Sequence, residues 1–377
     1  MRKQGAHALY AWIAVLVLTA LLAVLANGSM ALPAIPVAIA TPSPEAATTV
    51  APAQAGPLLS DARGFIAAPD KTAPAILRRE TDGDPIVSLR GQGFIGAVSG
   101  TGRRVAYWAS GSSARDGAAR ELRVFDVTAA DQDTLLATLP EAERGALVVW
   151  SFDRSGILVV VESSGKPDST GAPGPFSALR VVDVPTRSIR EVARVSDGSQ
   201  LWPVGWDRGA RVAGACVYRS DGMAIAWSVA GEDTLSARVP MDEGIPAKTV
   251  RGNGTGVLGV QDESVIRVWT LASYDAHTEL GAEPGERIAF AQWKPGADEV
   301  VVLVADRLEI WPAKGGDRRV VARGLRSASD LLVSSDGALA FVMHDGGRSA
   351  TAVDLATGVL APLPMSDAKL AAPISFR

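Results

Sequence analysis

An all-β chain built from one repeated four-stranded unit is predicted by three observations. A polar turn with a glycine near its end, followed by an apolar run, recurs six times at intervals of roughly 40 to 55 residues. Downstream of each copy lie two more strand-like segments, the first closing on a large apolar residue and then a small or polar one. The ends of the region carry incomplete units that complete one another. Six whole units and one composite make seven across Asp61 to Arg377, or about 45 residues per unit. The expectation is an all-β, seven-bladed β-propeller closed by a composite blade from both termini; six or eight blades are also compatible with this spacing.

Trp150 to Val195 shows the unit in full: WSFDRSGILVVVE, a Gly/Ser/Pro-rich insertion, then ALRVVDVPTRSIREVARV. Its relatives are AVSGTGRRVAYWAS from Ala97, GWDRGARVAGACVY from Gly205, VRGNGTGVLGVQD from Val250, QWKPGADEVVVLV from Gln292 and LVSSDGALAFVMH from Leu332. The turn glycines Gly102, Gly156, Gly209, Gly256, Gly296 and Gly337 are expected where the backbone needs positive φ. The apolar runs read as strands covered on both faces. In the hairpins that follow, Phe125, Val182, Trp227, Trp269, Trp311 and Val353 form one column. The next column is Asp126, Asp183, Ser228, Thr270, Pro312 and Asp354, which suits a packed strand ending in a polar turn.

The ends fix closure. Gly64 to Asp70 reads as one strand and Ala75 to Gly91 as an outer hairpin, a unit lacking its innermost strand. The chain stops with KLAAPISFR from Lys369, one strand with nothing after it. Joining the two leaves no open edge strand.

Ahead of this body, Arg2 and Lys3 precede an uncharged apolar run from Ala8 to Ala26, long enough nearly to span a hydrocarbon core of roughly 30 Å. The basic residues before it place the N-terminus in the cytoplasm and the body outside. The length favours an uncleaved single-pass anchor in the cell membrane; Ser29-Met30-Ala31 and Ala38-Ile39-Ala40 keep open a cleaved signal peptide and a secreted or periplasmic body. Residues 1–31 are thus a cytoplasmic stub with a signal-anchor or signal peptide. Residues 32–60, rich in Pro, Ala and Thr with Glu45 as the single charge, are a linker, and 61–377 are the propeller.

The turns SFDRSG, SSDG and WDRG, each followed by an apolar strand, resemble the repeats of TolB-type propellers. The Trp-and-polar column resembles degenerate WD-repeat blades, although the Gly-His pair of those repeats is absent. The resemblance covers about residues 61–377 and implies a rigid binding platform; a fold by itself never fixes its use.

Composition narrows the partners. A formal charge of −4, with no basic stripe, speaks against nucleic acid. Cys216 is the sole cysteine and reads as a small buried hydrophobe. The three histidines, His7, His277 and His344, share no ligand spacing, and the latter two fall in expected turns, so neither zinc nor a catalytic pair is expected. GQGFIG, Gly91 to Gly96, matches a dinucleotide fingerprint, but a strand is expected after it where a helix is required. No cofactor is expected. There is no GxSxG elbow. Asp82, Asp84, Asp131, Asp133, Asp153, Asp207 and Asp336 read as turn residues, with calcium at Asp82–Asp84 or Asp131–Asp133 the lesser reading.

Two loops do not repeat: Ser110 to Glu121 and Ser163 to Ser177. Both join a second to a third strand, so they are expected side by side on one face of the ring. Arg115, Asp116, Lys166, Asp168 and Phe176 are their exposed partner-binding candidates. The functional expectation is a monomeric, membrane-tethered scaffold for a protein, small-molecule or glycan ligand. The alternative is a secreted glycosidase or lyase using carboxylates in the central channel. Two facing carboxylates in a deep pocket would favour the enzyme, and an apolar mouth would favour protein binding.

Overall fold

The structure is a computed structural model. It describes residues 59–375 apart from 60–61, 69–72, 92–93, 111–117, 129–132, 152–154, 164, 166–173, 208–211, 220–221, 230–235, 242–250, 253–255, 262, 271–272 and 366–367. The described residues make seven antiparallel four-stranded sheets. Sheet I is Ile95–Val98, Arg104–Ser110, Ala119–Asp126 and Asp133–Thr138; sheet II is Glu143–Trp150, Gly156–Ser163, Phe176–Asp183 and Ser188–Val195. Sheet III is Gln200–Asp207, Val212–Arg219, Gly222–Val229 and Ser236–Met241; sheet IV is Arg251–Gly252, Gly256–Gln261, Val265–Thr270 and Ser273–Gly281. Sheet V is Ile288–Trp293, Glu299–Val304, Arg307–Pro312 and Arg319–Arg323; sheet VI is Ala328–Val333, Leu339–His344, Ser349–Asp354 and Leu360–Pro362. Sheet VII takes its first strand, Lys369–Ser375, from the end of the chain and the other three, Arg63–Ala68, Ile76–Arg79 and Pro85–Ser88, from its beginning.

Each first strand contacts the first strand of the next sheet, and that of sheet VII contacts both VI and I, so the first strands close a ring. Between sheets the core is apolar. Ala106, Trp108, Leu122 and Val124 of sheet I meet Val148, Trp150, Ile157 and Val159 of sheet II, and the seams between sheets II and III, IV and V, and V and VI repeat the scheme. Phe65 and Ala67 of sheet VII meet Leu339 and Phe341 of sheet VI, while Ile66 and Leu77 meet Val105 and Tyr107 of sheet I. The second strands, such as EVVVLV at Glu299–Val304, carry runs of buried Val and Leu because sheets cover both of their faces.

The two sequence columns hold one register. Phe125, Val182, Trp269, Trp311 and Val353 are buried on third strands opposite Val105, Ile157, Val257, Val300 and Ala340, and Trp227 lies opposite Gly214. The three aspartates of the next column do one job. Asp126 Oδ1 accepts from the Thr128 N–H and hydroxyl, Asp183 Oδ1 from those of Thr186, and Asp354 Oδ1 from the N–H groups of Ala356 and Thr357. Serine plays the matching part where first strands turn into second strands. Ser99, Ser151 and Ser334 hydroxyls accept the N–H of Arg104, Gly156 and Leu339.

Gly102, Gly296 and Gly337 have positive φ, as the turns require. Gly156 does not. It opens a strand in sheet II, and a Cβ there would run into the indole of Trp206 from sheet III. Close approach, and not turn geometry, selects that glycine. Gly145 is held the same way beneath Trp108. Gly145→Ala is expected to cost about 1–3 kcal/mol of stability by overpacking, read as a lower urea midpoint at unchanged slope.

Three further expectations are settled by the described residues. GQGFIG is followed by the strand Ile95–Val98, so its glycines make a sheet-to-sheet connection. His277 lies within the strand Ser273–Gly281 and not in a turn, and His344 ends the strand Leu339–His344. Asp133 opens a strand and sits in an ionic network, described below. The helix expected over Ala8–Ala26 lies outside the described residues; among those described, no helix is long and apolar enough to cross a membrane.

Candidate functional site

The ring of first strands frames the central channel, and its surface depends on β-bulges. Ala146, Ala289, Ser329 and Ala371 are extra residues in the first strands of sheets II, V, VI and VII. A bulge bends the strand and re-aims the side chains beyond it. In sheet III the bulge falls at a different level, at Val204 between Pro203 and Gly205.

That displacement inverts the alternation. Val148, Ala291 and Leu331, opposite Val159, Val302 and Val342, are buried between sheets. Trp202, opposite Cys216 at the corresponding level, is 40% exposed. The indole is therefore turned out of the core at the innermost strand of sheet III. Ile95 of sheet I is likewise exposed near the same end of its strand. Leu147, Val149, Phe290 and Leu332 line first strands half-buried. Among the described first strands, Trp202 and Ile95 are the exposed large apolar side chains.

Carboxylates on first strands are few. Glu143 is buried, and Arg180 from the third strand of sheet II grips it twice: Nη1 donates to Oε2 at 2.6 Å and Nη2 to Oε1 at 2.9 Å. Arg180 Nε also donates to Glu191, which Arg194 holds at 2.7 and 2.9 Å. Asp330 Oδ1 accepts the N–H of Leu331. A clamped glutamate is a structural ion pair, not half of an acid–base couple.

Burial pushes the Glu191 carboxyl up, but the hydrogen bonds and charge of Arg194, then those of Arg180, outweigh it and hold it below the usual range. A lowered carboxyl contributes stability that is present above the unfolded value, ~4.3, and is lost as pH falls through the folded one. The stability difference between wild type and Glu191→Gln is therefore expected to be full at neutral pH. It should shrink below about pH 4.3, as read by denaturant midpoints across pH.

Two more networks lie within single sheets and the connections that lead into them. In sheet I, Asp133 accepts from Arg123 Nε at 3.0 Å and from the Tyr107 hydroxyl at 3.1 Å, and pairs with Arg90 at 3.0 Å. Burial pushes that hydroxyl up, and the charge of Asp133 adds to it. In sheet V, Arg307 bridges Glu286 and Glu309, and Glu309 Oε2 accepts from Trp311 Nε1 at 2.6 Å. Arg123, Arg180, Arg267 and Glu309 occupy one third-strand position, two residues before the buried column. The recurring Leu/Ile-Arg-Val of ELRVFD, ALRVVD and VIRVWT was the signal for these pairs.

The two non-repeating loops spring from neighbouring sheets, I and II, at the end of the ring where Trp202 and Ile95 lie. Arg115, Asp116, Lys166 and Asp168 lie outside the described residues. Phe176 corrects its expectation. It is the first residue of a strand, only 6% exposed, with the Arg194 guanidinium 3.9 Å over its ring. Alternation along FSALRVVD turns Phe176, Ala178 and Val182 to the same buried side. Among the described residues, no group of three His, Cys, Asp or Glu side chains is placed to hold a metal.

No family model matches the chain, and no curated protein matches it. Solved structures do. AztD of Citrobacter koseri superposes with a TM-score of 0.53 at 13% identity, over 81% of this chain and 82% of that one. A functionally unknown protein of Desulfotomaculum acetoxidans gives 0.54 at 10% identity, over 81% and 96%. A prolyl endopeptidase gives 0.54 at 15%, over 82% of this chain and 52% of the other, so the likeness spans about half of that enzyme. Such identities establish architecture alone, and the architecture is the β-propeller.

Proposed function

We propose that this protein is an extracytoplasmic scaffold: a seven-bladed β-propeller with TolB-like and WD-repeat-like blades, tethered by Ala8–Ala26, that binds a partner protein at the loop-bearing mouth of its channel. The observation that carries this reading is Trp202, an indole left 40% exposed beside the displaced bulge of its first strand, with Ile95 exposed at the same end of the ring. Exposed tryptophans in apolar surroundings are favoured anchors of protein interfaces. Topology supports the choice of face. The chain enters sheet VII at Arg63, opposite Ser375, at the end of the ring away from the second-to-third loops. The glycosidase reading has less support, because Glu143 is occupied by Arg180.

A photo-crosslinking residue at Trp202, compared with one at the exposed Lys314 on the opposite face, tests this in intact cells. A defined adduct from position 202 alone supports the reading; equal adducts from both positions, or none from 202, would overturn it. Trp202→Ala is expected to abolish that partner's binding while the protein still unfolds in a single cooperative transition, checked by thermal melting.

A further inference from the structure

The outermost strand of sheet V, Arg319–Arg323, forms one edge of its sheet and concentrates charge of one sign. Residues 317–326, DRRVVARGLR, hold four arginines against one aspartate, in a chain whose formal charge is −4. Arg318, Arg319 and Arg323 are exposed, and so is Val320. Among the described residues only Arg326 of the four has a carboxylate within ion-pair distance, Asp306 at 3.8 Å. Neutral groups hold two of the others. Arg319 Nη2 donates to the Leu355 carbonyl of sheet VI at 2.8 Å. Arg318 lies 4.1 Å over the Trp311 ring and donates to the Gly281 carbonyl of sheet IV. Arg323 stands opposite Arg307. Glu286, whose charge reaches both Arg318 and Arg323, is bound by Arg307 instead. Each guanidinium has five N–H donors in a plane, so all three keep donors that suit a carboxylate.

Shape and charge select the occupant. A five-residue strand is ~17 Å long, the span of a short extended peptide and far less than the run of phosphates along nucleic acid. An edge strand points backbone N–H and C=O groups outward, and an added strand pairs with them. Arg319 reaches toward sheet VI and Arg318 toward sheet IV, so carboxylates on either face of an added strand would meet a guanidinium. Residues 32–60 carry a single charge, Glu45, and match this edge poorly. A second copy related by a two-fold axis would set arginine against arginine.

We propose that this edge docks an acidic, extended segment of a partner protein, with Val320 against an aliphatic side chain between the carboxylates. The surface is separate from Trp202, which lies on the innermost strand of sheet III. The test is fluorescence anisotropy of a short labelled peptide of alternating Glu and Val, beside one of alternating Lys and Val, titrated with the full chain in non-ionic detergent. Expected is saturable binding of the Glu peptide alone, made about tenfold weaker by Arg323→Glu or by Val320→Glu. Arg190→Glu, an equal change of charge on the exposed outermost strand of sheet II, should leave the affinity within about twofold. Equal weakening by Arg323→Glu and Arg190→Glu would reduce the effect to net charge and overturn the proposal, as would binding of both peptides or of neither. Flotation with phosphatidylglycerol vesicles that Arg323→Glu abolishes would assign the edge to lipid. Self-association that the same variant abolishes would assign it to a second copy. Either result overturns the acidic-partner reading.

Discussion

Replacing Arg180 by alanine is expected to destabilise the protein by about 3–5 kcal/mol, the usual cost of removing one partner from a buried pair. Glu143 keeps its charge, buried on a first strand, and loses both donors that compensate it. Glu191 fares better, because Arg194 still holds it. A double variant separates the terms: Glu143→Leu with Arg180→Met should recover most of the loss, since well-packed apolar replacements of buried pairs are often neutral. Urea midpoints of the single and double variants are the measurement. A small effect of Arg180→Ala would mean that water reaches Glu143.

Trp311→Ala is expected to cost a similar amount, about 3–5 kcal/mol, through the cavity it leaves between sheets IV and V. Two secondary losses add to it. Glu309 Oε2, on a side chain only 4% exposed, loses the indole N–H, and Arg318 loses the ring beneath its guanidinium. Trp311→Phe distinguishes packing from hydrogen bonding. It retains much of the ring volume but leaves that oxygen without its donor, for an expected ~1–3 kcal/mol. Thermal and chemical unfolding of both variants give the two contributions.

Much of the fold was legible because turns and strand ends use local chemistry. The aspartates at 126, 183 and 354 accept from N–H groups two or three residues on, so sequence spacing alone locates those turns. Closure was legible from the unpaired segments at Gly64 and Lys369. The site was mostly not. QLWPVGWD gives no sign that its extra residue falls at Val204, yet that decides which way Trp202 points. The Glu143–Arg180 clamp joins residues 37 apart on non-adjacent strands. Gly156 looks like any turn glycine until Trp206 of another sheet is laid over it. His277 was misplaced because DAHTEL is polar enough for a loop, while an outermost strand tolerates the same composition.

Sheet VII also constrains how the protein is made. Arg63 pairs with Ser375, more than three hundred residues later, so three strands leave the ribosome long before their fourth. Closing so long a loop carries an entropic cost that grows only slowly with length, but the search for it is slow. Until then the strand Arg63–Ala68 presents an unpaired edge rich in buried-type residues, the kind that pairs with the wrong chain. Loss of the strand Lys369–Ser375 would leave that edge open for good, so damage there should appear first as aggregation.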